Sequence, residues 1–223
     1  EKEVCEIADL GGTEYYWRIG ADYLAEKRGR VRITIVNPET ETIADTGLFR
    51  FVEGSATDPE LFAGRTFDLV HSNSVIEHVG DVEDMRLFAD NVRRLAPRYY
   101  VQTPNYWFPY EPHFRLPGFQ FLPAGLRVFI IRHFAVGFFA KVPERAEAEG
   151  VIRHHHLIST RQMRAFFPDA AHVSDPRVLA AAVRDGLGLL LWADESFAYA
   201  DGFDEATGRY RGLRCGPNGG APV

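Results

Sequence analysis

The sequence predicts an α/β fold built on an open, mostly parallel seven-stranded sheet with helices on both faces. Short runs rich in β-branched and apolar residues recur along the first half of the chain. They alternate with segments that carry apolar residues at helical spacing, or with short connections. Chains with this alternation form parallel sheets whose ligand crevice lies beyond the carboxyl ends of the strands.

Five strands are expected in the first half, at residues 4–10, 31–36, 48–52, 67–72 and 99–102. The first strand ends at Gly11-Gly12, a pair that favours a tight turn, and a helix is expected over 13–27. A second helix starts at Asp81 or Asp84 and ends before Pro97, since apolar residues recur at helical spacing between them.

The alternation stops at residue 105. Residues 105–150 are rich in aromatic side chains and include the apolar stretch 126–139, so we interpret them as an inserted cap over the active edge of the sheet. A helix is expected over 159–167, with Ser159 or Thr160 as its N-cap. The last two strands are placed at 173–179 and 187–192, and 194–223 is a poorly defined tail. Residues 1–223 are thus interpreted as a single domain.

Composition excludes some classes of function. The 223 residues are 46% hydrophobic and carry a formal net charge of −6, which argues against nucleic acid as a partner. The two cysteines lack the spacing of a zinc or redox motif, and no apolar run reaches the roughly 18 residues of a membrane span. We therefore expect a soluble, cytoplasmic protein. Basic residues within 126–141 leave contact with a membrane surface as an alternative.

The chain begins without Met and reaches a strand almost at once. We therefore expect a fragment that lacks a helix normally preceding this strand.

Four segments at predicted strand ends carry a family resemblance: Asp9-Leu10-Gly11-Gly12-Thr13, Asn37 with Glu39, Gly54-Ser55-Ala56, and FDLVHSNSVIEHV at 67–79, the last followed later by YYVQTPN. Their order resembles the class I S-adenosylmethionine-dependent methyltransferases, in particular the small-molecule, type 11-like branch. The resemblance covers roughly residues 4–121, with a weaker echo at 157–168. It implies a Rossmann-like fold, S-adenosylmethionine as cofactor, and an enzyme that methylates an O or N atom of a small, partly apolar acceptor.

The resemblance places the cofactor's amino-acid moiety at the first turn. Gly11 and Gly12 permit a close backbone approach there because they lack Cβ. Thr13 continues the loop, and the Asp9 carboxylate is positioned to orient it and to meet the cofactor's ammonium group through water. The alternative for Asp9 is a plain turn cap.

The following strand ends supply the other expected cofactor contacts. Asn37 or Glu39 is expected to bond the ribose hydroxyls, although Asn37 also fits a simple Asn-Pro turn. Ser55 and Ala56 stand where adenine is contacted, with an ordinary loop as the alternative. Asn73 and Ser74 are expected beside the sulfonium.

Glu77 and His78 lie where a general base is expected if the reaction needs one, and His113 in the cap is a second candidate base. Each also has a structural interpretation, and proximity alone can drive methyl transfer. The run Arg153-His154-His155-His156 lacks ligand spacing, so no metal is expected.

Two other functions compete. A nicotinamide-dependent oxidoreductase would need Gly at Thr13 and Tyr16 to complete G-x-G-x-x-G. A non-catalytic relative would keep the fold as a binding or regulatory protein, and Thr13 and Asn37 depart from the catalytic pattern in that direction.

Overall fold

A computed structural model describes residues 4–155, 157–173, 195–199, 203–204 and 209–210. Its centre is a parallel sheet of β1 (Cys5–Leu10), β2 (Val31–Asn37), β3 (Phe49–Glu53), β4 (Leu69–Asn73) and β5 (Tyr99–Pro104). The strand order is β3-β2-β1-β4-β5. The predicted parallel α/β sheet is confirmed for these five strands.

The strand order reverses at β1, which lies between β2 and β4. Chain connections leave β1 and β4 in opposite directions along the sheet, so a crevice opens beyond their carboxyl ends. The segments that follow β1 and β4 therefore meet at the place where an open α/β sheet binds its ligand.

Helices cover both faces of the sheet, because successive side chains of a strand point to opposite sides. On one face, α2 (Val82–Leu95) and α5 (Thr160–Phe166) pack on Ala8, Val70 and other apolar side chains. On the other face, Leu24 of α1 (Ala21–Glu26) packs with Ile7 and Ile33. The sequence predicted one helix over 13–27, whereas the structure has a 3₁₀ turn over Tyr16–Gly20 before α1.

The start of α2 is fixed by a capping box. The Asp81 carboxylate accepts hydrogen bonds from the backbone N–H groups of Glu83 and Asp84, and the Asp84 carboxylate accepts from the N–H of Asp81. Ser159 and Gln162 form the same arrangement at α5. The structure thus selects Asp81 and Ser159 from the two pairs of predicted N-caps.

The segment after β5 forms a substructure with its own apolar cluster. It contains a hairpin of β6 (Tyr110–Glu111) and β7 (Leu116–Pro117), a 3₁₀ turn over Phe119–Phe121, α3 (Ala124–His133) and α4 (Arg145–His154). The buried members of the cluster are Phe114, Phe119, Ile131, Val136, Val142, Ala148 and Ile152.

Two short strands extend the sheet antiparallel beyond β5. β9 (Glu195–Tyr199) pairs with β5, and β8 (Ala171–Val173) pairs with β9. A separate pair is formed by β10 (Phe203–Asp204) and β11 (Arg209–Tyr210). The strands predicted at 173–179 and 187–192 fall almost wholly on 174–194, outside the described residues, as does most of the predicted tail.

Large apolar side chains are exposed on and after α3, within the stretch predicted as an alternative membrane contact. Phe129, Phe134 and Phe138 are each more than half exposed. In the part of the chain that the structure describes, no helix combines the length and apolarity that crossing a bilayer requires. Surface contact by 126–141 stays a prediction.

Candidate active site

The turn after β1 requires glycine. Gly11 has φ 77°, and a Cβ there would lie 2.5 Å from Cγ1 of Val75. A Cβ on Gly12 would lie 1.7 Å from Oδ2 of Asp9. Beside this turn is a cavity of about 200 Å³, lined by Asp9, Gly11, Gly12, Thr13, Tyr16, His71 and Asn73. The structure thus brings together the predicted residues of the first strand and Asn73 of β4.

Asp9 is fully buried at the floor of this cavity. Its Oδ2 accepts a hydrogen bond from Nε1 of Trp17 at 2.6 Å, and its Oδ1 lies 2.8 Å from Nδ1 of His71. The carboxylate therefore fixes the 3₁₀ turn to β4. Sequence reasoning missed His71, although alternation along β4 puts it on the same face as Asn73.

The predicted ribose-binding position is engaged in a local turn. Oδ1 of Asn37 accepts a hydrogen bond from the backbone N–H of Glu39 at 3.1 Å, and its Nδ2 lies 3.5 Å from the carbonyl oxygen of Gly12. Glu39 is exposed. The Asn-Pro turn expected as an alternative is therefore present, and it ties the end of β2 to the glycine turn.

The predicted adenine-contacting pair lies on the loop after β3. The Ser55 hydroxyl is 2.7 Å from that of Thr57 and accepts from the Thr57 backbone N–H. Ala56 is buried, and its carbonyl oxygen accepts a hydrogen bond from Nδ2 of Asn91 on α2 at 2.8 Å. The loop is thereby anchored to α2 beside the end of the strand.

Beyond β4, Ser74 has φ 55°, a conformation that non-glycine residues rarely adopt. It is held there by Gln102 of β5, because the Gln102 carbonyl accepts from the Ser74 N–H and Gln102 Oε1 accepts from the Ser74 hydroxyl. Strained backbone of this kind often marks functional sites. The left-handed conformation of Ser74 turns the chain sharply into the segment that carries Glu77 and His78.

Glu77, His78 and His113 form one cluster, with a ligand atom from each lying within 4.8 Å of the others. Nε2 of His78 is 3.2 Å from Nε2 of His113 and 4.0 Å from Oε1 of Glu77. Glu77 is fully buried, whereas His78 is exposed to solvent. The fold thus joins all three predicted catalytic residues, although His113 is 35 positions from His78.

Burial raises the pKa of the Glu77 carboxyl from 4.5 to about 7, against a lowering effect of its hydrogen bonds and of His113. Its Oε2 accepts a hydrogen bond from the Thr103 hydroxyl at 2.9 Å. Its Oε1 is buried and accepts no hydrogen bond from the described residues. This oxygen points toward the histidine side of the cluster.

Further residues orient the two histidines, and sequence reasoning did not assign them. Glu111, itself buried, places Oε1 at 2.7 Å from Nδ1 of His113. The carbonyl oxygen of His154 lies 3.1 Å from Nδ1 of His78, and the ring of His155 packs against both histidines. Glu111 stands two residues before His113, a spacing visible in the sequence, but the approach of α4 is a tertiary contact.

A second cavity, of about 140 Å³, is lined by Glu111 and His155, which contact the histidines of the cluster. Its walls are largely aromatic and apolar: Tyr106, Phe114, Phe119 and Leu157. Arg127 and Gln120 also line it, and Nε of Arg127 and Oε1 of Gln120 are buried without a hydrogen-bond partner among the described residues. The space is therefore apolar with a few unsatisfied polar groups.

Residues 18–98 match the family described as "Methyltransferase domain". The chain is also 33% identical over 60 residues to an uncharacterized protein found in two strains of Mycobacterium tuberculosis, a stretch covering 27% of this chain and 20% of that protein. Over these residues, the family match confirms the predicted resemblance to methyltransferases.

Solved structures share the fold at low sequence identity. An O-methyltransferase family protein from Burkholderia thailandensis superposes with a TM-score of 0.50 at 14% identity, over 87% of this chain and 50% of that one. The plantazolicin methyltransferase BamL, in complex with a triazolic desmethylPZN analog and SAH, superposes with a TM-score of 0.51 at 8% identity, over 89% of this chain and 77% of that one. A Rhodobacter sphaeroides protein provisionally named a Zn-dependent alcohol dehydrogenase superposes with a TM-score of 0.54 at 12% identity. The superposition covers 88% of this chain and 83% of that one. The chain thus spans about a fifth of the length of the curated relatives it matches and half of the length of the Burkholderia protein.

Proposed function

We propose that this chain, which matches the methyltransferase domain family over residues 18–98, transfers a methyl group from S-adenosylmethionine to an O or N atom of a small, partly apolar acceptor. The observation that carries the proposal is the glycine turn after β1, which opens on a cavity of about 200 Å³ at the point where the strand order reverses. This is where an open α/β sheet binds its cofactor.

The residues around the turn fit that cofactor. Gly11 and Gly12 leave the backbone accessible beside the amino-acid moiety, and Thr13 and Asn73 offer polar groups on the same cavity wall. We assign Asp9 a positioning role, because both of its carboxylate oxygens are engaged by Trp17 and His71. Asn37, Glu39, Ser55, Ala56 and Ser74 are assigned to the ribose, adenine and sulfonium ends of the same crevice.

The cofactor, when bound, supplies a methyl group on a positively charged sulfur. An acceptor oxygen or nitrogen held in line with that methyl group would take it, and the electron pair of the broken carbon–sulfur bond would remain on sulfur. The acceptor's proton is removed at the cluster of Glu77, His78 and His113. Holding the acceptor in line supplies much of the acceleration by proximity.

The acceptor's character follows from the second cavity. Its aromatic and apolar walls favour a small ring or short acyl group, and the unsatisfied Arg127 Nε and Gln120 Oε1 favour one polar substituent. We assign residues 105–150 as the cap that provides this cavity, within a single domain built on a seven-stranded sheet. We propose further that the protein is located in the cytoplasm and does not bind nucleic acid.

The oxidoreductase alternative loses support at the glycine turn. Tyr16 occupies the position of the third glycine of G-x-G-x-x-G, and its ring packs at 5.2 Å from the ring of His71. A non-catalytic relative would keep the fold without needing the cofactor. Cofactor binding therefore separates the three functions.

Calorimetric titration of the chain with S-adenosylmethionine, S-adenosylhomocysteine and NADH tests the proposal. We expect binding of both sulfur compounds with micromolar Kd and no binding of NADH. Absence of binding to the sulfur compounds by a folded sample would favour the non-catalytic relative, and binding of NADH alone would favour the oxidoreductase.

A further inference from the structure

We propose that Glu77, His78 and His113 form a binding site for a divalent transition-metal ion of the Zn²⁺ class. The site goes beyond the proposed methyl transfer and does not rest on it, because it consists of these three side chains and the groups that hydrogen-bond to them.

The tautomers of the two histidines direct their lone pairs toward each other. Nδ1 of His78 faces the carbonyl oxygen of His154 at 3.1 Å, and a carbonyl only accepts hydrogen bonds, so Nδ1 carries the hydrogen. Nδ1 of His113 faces the Glu111 carboxylate at 2.7 Å and donates in the same way. In each neutral ring Nε2 then holds a lone pair.

These two Nε2 atoms lie 3.2 Å apart. Two lone pairs at this distance repel each other unless a proton or a metal cation lies between them. A tetrahedral Zn²⁺ bound at about 2.0–2.1 Å separates two nitrogen ligands by roughly 3.3–3.4 Å. The observed separation is close to that value, so the pair is spaced for a shared metal ion.

Glu77 supplies the third ligand. Its Oε1 is fully buried, lies 4.0 Å from Nε2 of His78, and accepts no hydrogen bond from the described residues. A buried carboxylate oxygen without a partner is costly, and a cation removes that cost. Two histidines and one carboxylate with a fourth position open is the ligand set of a catalytic zinc site.

The surroundings have the organisation that metal-binding histidines require. Such histidines donate their second ring N–H to a carboxylate or a backbone carbonyl, which fixes the ring and makes the ligand nitrogen more basic. Glu111 does this for His113 and is itself held by the backbone N–H of Phe114. The His154 carbonyl does it for His78, and Thr103 orients Glu77.

The second cavity, to which we assign the acceptor, is lined by Glu111 and His155, and these two side chains contact the histidines of the site. A hydroxyl bound to the metal there loses its proton to water more readily than the free hydroxyl does. Under the proposed methyl transfer, the three residues would then activate the acceptor as metal ligands.

Titration of the chelator-treated, folded chain with Zn²⁺ alone, without S-adenosylmethionine, tests the site. We expect about one ion per chain with micromolar or tighter Kd, and at least about 100-fold weaker binding in His78→Ala and His113→Ala, as expected for loss of a direct ligand. Glu111→Gln should weaken binding by about 10–100-fold, because it changes only the support of His113. His133→Ala on α3 is the matched control and should bind as the unchanged chain does.

Zinc binding that is absent, or that is equally tight in His78→Ala and His113→Ala, would overturn the proposal, as would an equal loss in His133→Ala. Glu77→Gln keeps an oxygen for the Thr103 hydroxyl, so it tests the third ligand if a histidine variant fails to fold. Electronic absorption of the Co²⁺-loaded chain gives a second reading, since a tetrahedral site with N and O ligands absorbs far more strongly than hydrated Co²⁺. Titrations with S-adenosylmethionine run on the same samples keep failure of this site distinct from failure of the proposed function.

Discussion

Asp9 and His71 are register partners on the adjacent parallel strands β1 and β4, and Oδ1 of Asp9 lies 2.8 Å from Nδ1 of His71. The same carboxylate accepts a hydrogen bond from Trp17, so one buried group joins two central strands to the turn that follows the first. Asp9 and His71 also line the cavity beside Gly11. Stability and the geometry of the proposed cofactor site therefore depend on the same side chain.

Asp9→Ala should destabilise the fold by about 1–3 kcal/mol, because it leaves the Trp17 and His71 donors without their buried acceptor. Urea denaturation measures this loss. Asp90→Ala is the control, since the exposed Asp90 pairs with Arg93 at the surface and its loss should cost about 0.2–1 kcal/mol. Equal losses in the two variants would show that the buried acceptor contributes nothing specific.

Gly11→Ala should abolish binding of S-adenosylmethionine in calorimetry. The added Cβ would lie 2.5 Å from Cγ1 of Val75, so Val75 or the turn that lines the cavity must shift. Gly29→Ala isolates this effect, because Gly29 has a similar φ of 79° but no atom of the described residues lies within 4 Å of the added Cβ. Both variants carry the backbone strain of an L-residue at positive φ, about 1 kcal/mol. Retained affinity in Gly11→Ala would remove the turn from the cofactor site.

Asp81→Ala should lower the free energy of unfolding by about 1 kcal/mol, because α2 loses the N-cap that accepts from Glu83 and Asp84. Asp81→Asn keeps an accepting oxygen and should recover most of the loss. Thermal denaturation of both variants measures the difference. A full loss in Asp81→Asn would mean that the charge, and not the cap hydrogen bond, stabilises the helix start.

Glu6 should contribute to the acid sensitivity of the fold. The hydrogen bond from Arg65 is the largest cause that lowers the pKa of Glu6 below its ordinary 4.5, with Arg32 also lowering it and partial burial opposing both. A lowered folded-state pKa means that the stabilisation is complete above the unfolded-state value and is lost as pH falls through the folded-state value.

Glu6→Gln should therefore flatten the fall in unfolding free energy as the pH decreases through and below the ordinary glutamate pKa of 4.5. Chemical denaturation at several pH values measures this slope. Glu60→Gln at an exposed position is the control and should leave the slope unchanged. A slope unaltered by Glu6→Gln would show that the Arg65 contact is solvent-screened.

Several features could be predicted from local sequence alone. Short apolar and β-branched runs located the five parallel strands, and the apolar period near 3.6 located α2, whose capping residue was one of two predicted. The helix predicted over 13–27 was only partly right, since Gly20 separates a 3₁₀ turn from α1. Glycine has no side chain to stabilise one continuous helix. The spacing of apolar residues does not show where such a helix is interrupted, so the interruption could not be predicted from it.

The candidate site divides in the same way. Chain order by itself determined that Gly11, Asn73, Glu77 and His78 follow the carboxyl ends of strands, because those ends gather at one edge of any parallel sheet. Only the tertiary structure brought His113 and the His154 carbonyl to His78, and only it buried Glu77 beside them. Those contacts depend on how the segment after β5 packs back on the sheet, and such packing is decided by long-range contacts that no local periodicity records.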